Sequence, residues 1–140
     1  MTQTRFAHQR LDAYHVALEL FRDVELLAAA FPRGHADLKD QLRRSSAATV
    51  RHIAEGANRV APRDKAARFA LARAECGECE ATLEMAEVAG VVESGRVFSL
   101  RRRADRVAAM LVGLLRREAA RVSRSNRSRT VSSDMAASEE

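Results

Sequence analysis

The chain has no tryptophan, a single tyrosine (Tyr14), two prolines and two cysteines in 140 residues, and only Lys39 and Lys65 of its 24 basic residues are lysine. Turns and aromatic or β-branched residues are too few for a β-sandwich or barrel. Six glycines and two cysteines exclude a collagen-like repeat and a disulfide scaffold. The longest nearly apolar stretch near the C-terminus, residues 107–115, is far below the roughly 20 residues that span a bilayer. Residues 1–10 are polar, with no apolar run behind them, so no export signal is expected. Sparse cysteine fits a reduced, cytoplasmic protein. There is no GxxxxGK[ST] or GxGxxG loop and no G-x-S-x-G elbow, so no motif supports catalysis. A non-enzymatic protein without cofactor or metal is the expectation.

Alanine, arginine and helical periodicity are what the sequence has in quantity. Of the apolar residues, 27 are alanine, and 22 of the basic residues are arginine. The formal charge of +5 is unevenly spread. Residues 96–129 carry eleven arginines against Asp105 and Glu118, while residues 1–95 are nearly balanced and the last eleven residues are acidic. Arginine presents a planar fork that suits phosphates and carboxylates.

Four segments repeat apolar residues at helical spacing, and the breakers fall between them. The first covers residues 8–30, with Leu11, Tyr14, Leu18, Phe21 and Val24 on one stripe, and stops at Phe31-Pro32-Arg33-Gly34. The second, residues 36–57, repeats Leu38, Leu42, Ser45, Thr49 and Ile53. Its interior is small (Ser45, Ser46, Ala47, Ala48), which lets a neighbouring helix approach closely, and Gly56 and Asn58 read as C-terminal caps. The third starts near Pro62, repeats Phe69, Ala72, Cys76, Cys79, Leu83 and Ala86 as heptads, and is closed by Gly90. The fourth, residues 94–122, repeats Val97, Leu100, Ala104, Val107, Leu111 and Leu114. Together they predict an all-α fold: an antiparallel, up-down-up-down four-helix bundle over residues 1–122. Residues 123–140 lose all periodicity and read as a disordered Ser/Arg-rich tail.

Cys76-Gly77-Glu78-Cys79 is a C-x-x-C, but no second pair completes a structural zinc site. Both cysteines occupy core positions of the heptad, where cysteine acts as a small hydrophobe. His8, His15, His35 and His52 form no metal-binding pair on one helix. Glu75, Glu78, Glu80, Glu84 and Glu87 load the third helix, yet no Glu-x-x-His occurs. A solvated face, or one that pairs with arginines on a neighbour, is the simpler reading.

The functional signal is the arginine density of the fourth helix: Arg96, Arg101, Arg102, Arg103, Arg106, Arg116, Arg117 and Arg121, then Arg124, Arg127 and Arg129 in the tail. Such a stripe attracts RNA or DNA phosphates through charge and counterion release. With few aromatics, backbone contact that tolerates sequence is expected. The alternative is a solvated face, or a protein–protein scaffold whose basic helix docks an acidic partner or a neighbouring subunit.

Gln41-Leu42-Arg43-Arg44-Ser45-Ser46, followed by Ile53-Ala54-Glu55-Gly56 and Arg59, resembles the signature of the four helix bundle protein family, also called the 23S rRNA intervening sequence proteins. The likeness covers roughly residues 11–118. Where the family usually has Ser, Pro and Asn between the two blocks, this chain has Ala48, Val50 and His52; its usual Gly-Ser in the third helix is Ala74-Glu75 here. The resemblance implies antiparallel bundles assembled as homopentameric rings. It also implies, through relatives that serve diversity-generating retroelements, binding of a reverse transcriptase and of nucleic acid. It marks Gln41, Arg43, Arg44, His52, Glu55, Gly56 and Arg59 as motif or interface positions.

Overall fold

The computed structural model describes residues 5–138. After a short 3₁₀ turn at Ala7–Arg10 come four helices: α1 (Asp12–Ala29), α2 (Ala36–Asn58), α3 (Pro62–Val88) and α4 (Ser94–Ala137). No strand occurs among the described residues. Each helix packs on its neighbours in sequence, α1 also packs on α4, and the diagonal pairs do not meet. The bundle is therefore a four-cornered, up-down-up-down arrangement, as the four stripes predict.

The stripes supply the core. Leu20, Val24 and Leu27 of α1, Leu42 and Ile53 of α2, Phe69, Cys76, Cys79 and Leu83 of α3, and Val97, Val107 and Leu111 of α4 are fully buried or nearly so. The small middle of α2 closes on α3 with its hydroxyls satisfied internally. Ser45 Oγ donates to the Gln41 carbonyl at 2.7 Å and Thr49 Oγ1 to the Ser45 carbonyl at 2.8 Å. A buried hydroxyl without such a partner would carry a desolvation cost.

The helix ends follow local chemistry. Pro62 opens α3, where its missing N–H is not needed. Gly90 takes φ of 71° after α3, and the Val91 and Gly90 amides bond back to the Ala86 and Glu87 carbonyls at 3.0 Å each. That is a Schellman stop, which requires a left-handed residue. Gly56 is different from the expected cap. It lies inside α2, which runs two residues further to Asn58. A Cβ there would come within 2.7 Å of two Phe69 ring carbons, so the glycine is a close-approach point between α2 and α3. Asn58 does serve the helix end: its Nδ2 donates to the Ala54 carbonyl at 2.8 Å, and its Oδ1 accepts from the Ala7 amide at 3.1 Å.

α4 does not end at Val122, where the sequence pattern fades, but continues as helix to Ala137. Nothing between 123 and 138 is proline or glycine, so no residue breaks the backbone pattern. Every side chain from 123 to 138 is exposed, so this extension adds nothing to the core.

Candidate nucleic-acid interface

The arginines of α4 fall into distinct groups once the core stripe is fixed. Arg101 lies on the flank toward α3, where its guanidinium meets Glu80 at 2.6 Å, Glu84 at 3.4 Å and Glu87 at 3.9 Å. Its hydrogen bond to Glu80, with the surrounding carboxylate charge, raises its pKa further. Arg103 lies on the opposite flank and pairs with Asp23 and Glu19 of α1. Arg117 and Arg121 both donate to Glu118 Oε1, at 3.3 and 3.0 Å. The eight bundle arginines of α4 singled out in the sequence therefore do not act as one group. Four are held by carboxylates of the same chain, because the flanks of α4 face acidic stretches of α1 and α3 and because Glu118 sits between two arginines.

The rest have no carboxylate within ion-pair distance among the described residues: Arg96, Arg102, Arg106 and Arg116, followed by Arg124, Arg127 and Arg129. All are exposed. Arg102, Arg106, Arg116, Arg124 and Arg127 recur at helical spacing on the side of α4 opposite Val97, Ala104 and Leu111. Exposed Ala109, Gly113 and Ala120 lie between them and leave the row sterically open. At 1.5 Å per residue, the row from Arg102 to Arg127 is about 37 Å long. Near its start Phe98 is exposed, and the Arg102 guanidinium stands 5.8 Å from the ring centroid. Phe98, Ser99, Arg102, Arg103 and Arg106 line a shallow open depression of about 530 Å³.

The acidic face of α3 is also accounted for within the chain. Arg44 reaches Glu75 at 3.3 Å and Glu78 at 2.6 Å, and Gln41 Oε1 accepts from the same guanidinium at 3.2 Å. The Arg44 hydrogen bond holds the Glu78 carboxyl below its ordinary pKa. Arg43 meets Glu25 of α1 at 3.0 Å. Glu55 Oε2 lies 3.1 Å from His52 Nδ1 and 3.4 Å from Arg68. Arg59 is exposed and has no carboxylate partner among the described residues, although its carbonyl accepts from Lys65 at 3.0 Å.

Two groups escaped the sequence reading. Glu118 is fully buried, and its Oε2 accepts no hydrogen bond among the described residues. A signal for it existed: the α4 stripe of 100, 104, 107, 111 and 114 continues at 118. Lys65 bonds the Gly56, Ala57 and Arg59 carbonyls at 3.0, 2.9 and 3.0 Å, closing the C-terminus of α2. Burial lowers its pKa, against the nearby Glu118 charge. Only the rarity of lysine marked it.

The C-x-x-C pair is core. Burial pushes the Cys76 thiol up to about 12 and the Cys79 thiol up to about 11. Cys76 Sγ donates to the Ala104 carbonyl at 3.3 Å. Among the described residues no cluster of three or more His, Cys, Asp or Glu could hold a metal ion. No described helix is long and apolar enough to cross a membrane.

The sequence model of the 23S rRNA-intervening sequence protein family matches residues 9–113. The chain belongs to that family. A solved structure of a protein of unknown function from the S23 ribosomal protein family of Bacteroides thetaiotaomicron superposes on it with a TM-score of 0.69. The two are 16% identical over 74% of this chain and 97% of that one, a likeness of fold. No curated protein matches the chain. In this chain the Q-L-R-R block ties α2 to both neighbours, through Arg43 to α1 and Arg44 to α3. Its I-A-E-G block sets the distance between α2 and α3 at Gly56.

Proposed function

We propose that this chain is a non-enzymatic, homo-oligomeric scaffold that holds RNA or DNA without sequence preference along the outer face of α4. The observation that carries this reading is the sorting of the arginines. On the flanks of α4, Arg101, Arg103 and Arg121 pair inside the chain, while Arg102, Arg106, Arg116, Arg124 and Arg127 form an outward row with no carboxylate partner among the described residues. Guanidinium groups left in water at helical spacing are matched to a polyanion whose charges also repeat. Docking on the α3 carboxylates of a neighbouring subunit has less support, because Arg44 and Arg101 already engage them.

Family membership supports a ring, homopentameric by resemblance, in which the basic row would recur in every subunit and weak contacts would add as avidity. It supports a role beside rRNA intervening sequences, or beside a reverse transcriptase as a retroelement accessory protein. The test is the salt dependence of binding to a generic RNA, read by fluorescence anisotropy. Five engaged arginines give a slope of log K against log salt of about −3.5, and about a hundredfold loss of affinity between 50 and 200 mM salt. A flat dependence, or no binding at low salt, removes the reading. Binding to an acidic protein that survives nuclease treatment favours the protein-scaffold alternative.

A further inference from the structure

The basic row has one aromatic residue, and it stands at the end nearest the α3–α4 turn. Phe98 is on the second turn of α4, 64% exposed, four residues before Arg102 and eight before Arg106. It is not one of the residues that form the buried core. Its described aromatic neighbourhood is the Arg102 guanidinium, 5.8 Å from the ring centroid, within the range of cation–π attraction. Single exposed apolar residues are ordinary on a protein surface; Phe98 is set apart from the others by its place at the head of the arginine row and by its cation–π contact with Arg102.

We infer that Phe98, with Arg102 and Arg106, forms a single-nucleotide stacking station that gives the α4 surface a preference for single-stranded over duplex nucleic acid. The inference rests on reading the α4 row as a nucleic-acid surface and narrows its ligand class. A base stacks on the phenyl ring because every base has a π face, so the station tolerates sequence. Arg102 and Arg106, both on the same side of the ring, take successive phosphates of the strand as it leaves the stacked base, and Ser99 offers a hydroxyl in the same depression. In a duplex the bases are stacked on one another and cannot reach the ring, so a duplex uses the arginines alone. Arg103 lines the same depression but is held by Asp23, and the acidic α1 flank keeps the strand on the outer side.

The experiment compares a 12-nucleotide single strand with its duplex, by anisotropy at low salt, on the full chain and three variants. Phe98→Leu keeps an apolar side chain but removes the stacking face. It is expected to weaken single-strand binding about tenfold and leave duplex binding unchanged. Phe98→Tyr is expected to restore the single-strand affinity. The double variant Arg102→Gln, Arg106→Gln is expected to weaken both ligands. The inference is overturned if Phe98→Leu binds the single strand like the parent, or if it loses both ligands equally together with a change in native mass, which makes Phe98 a subunit contact. Absence of binding by the parent to either ligand overturns instead the nucleic-acid reading on which the station rests.

Discussion

At Gly56 a methyl group would overlap the Phe69 ring at 2.7 Å, whereas at Gly77, also inside a helix, it would meet nothing within 4 Å. The same substitution therefore has opposite signs at the two positions. Gly77→Ala gains about 1 kcal/mol of helix propensity. Gly56→Ala gains the same propensity but must displace a fully buried ring, an overpacking cost at the upper end of about 1–3 kcal/mol, for a net loss near 2 kcal/mol. Thermal melts check this: Tm should rise for Gly77→Ala and fall by several degrees for Gly56→Ala. Two equal shifts would mean that the α2–α3 approach is looser than described. The cysteines give a second prediction. Thiols raised to about 12 (Cys76) and about 11 (Cys79) are protonated and shielded at neutral pH. An aromatic disulfide reagent at pH 8 should leave both unlabelled in the folded protein and label both in denaturant. Because the folded pKa values lie above the unfolded ones, the unfolded state loses protons first as pH rises. The thiols' contribution to stability is complete below about pH 9 and falls away between about 9 and 12. Rapid native labelling at pH 8 would contradict the core assignment.

α4 is where sequence and structure differ most. Its core stripe was readable from 97 to 114 because the heptad spacing is regular, and the same spacing leads to Glu118, an acid at a core position. Which arginines are free was not readable. Arg101, Arg102 and Arg103 are consecutive, yet only Arg102 faces outward, and that depends on Glu80 and Asp23 lying on two other helices. Pairing across elements is a property of packing and not of local sequence. The end of the helix was missed for a related reason. A fading apolar stripe says where the core stops, whereas helical backbone stops only at a breaker, and 123–138 has none. The element boundaries elsewhere were legible because Pro32, Gly34, Pro62 and Gly90 punctuate them. The division within α4 predicts unequal variants. Replacing outward Arg102, Arg106 and Arg116 by glutamine should lower the salt slope by about 2. Replacing Arg117 and Arg121, which Glu118 already holds, should change it little. Equal effects would show that Glu118 does not sequester its two arginines when RNA arrives.

At the scale of the whole molecule, charge is arranged in layers. The interior is apolar except for hydroxyls that bond their own helices and for Glu118; ion pairs bind α1, α2, α3 and α4 at their seams; of the arginines left unpaired among the described residues, five line up along the outer edge of α4, while others such as Arg33, Arg51, Arg59, Arg63 and Arg73 are spread over the rest of the surface. One such edge is a weak site. Roughly five phosphate contacts through exposed arginines give modest affinity near physiological salt, since each is screened within about 8 Å. Repetition of the edge around an assembly changes this, because the second contact becomes intramolecular and adds avidity of 10²-fold or more without new chemistry. Length dependence exposes the difference. For a single chain, doubling an RNA that already covers the roughly 37 Å row only multiplies the number of positions, about a twofold gain. For a homo-oligomer, affinity should step upward by about a hundredfold once the RNA spans two rows. Binding to RNAs of 10 to 60 nucleotides, with native mass measured in the same buffer, reads this directly. A smooth, statistical rise from a protein that remains monomeric would leave the bundle as a one-edge binder and dispose of the assembled scaffold.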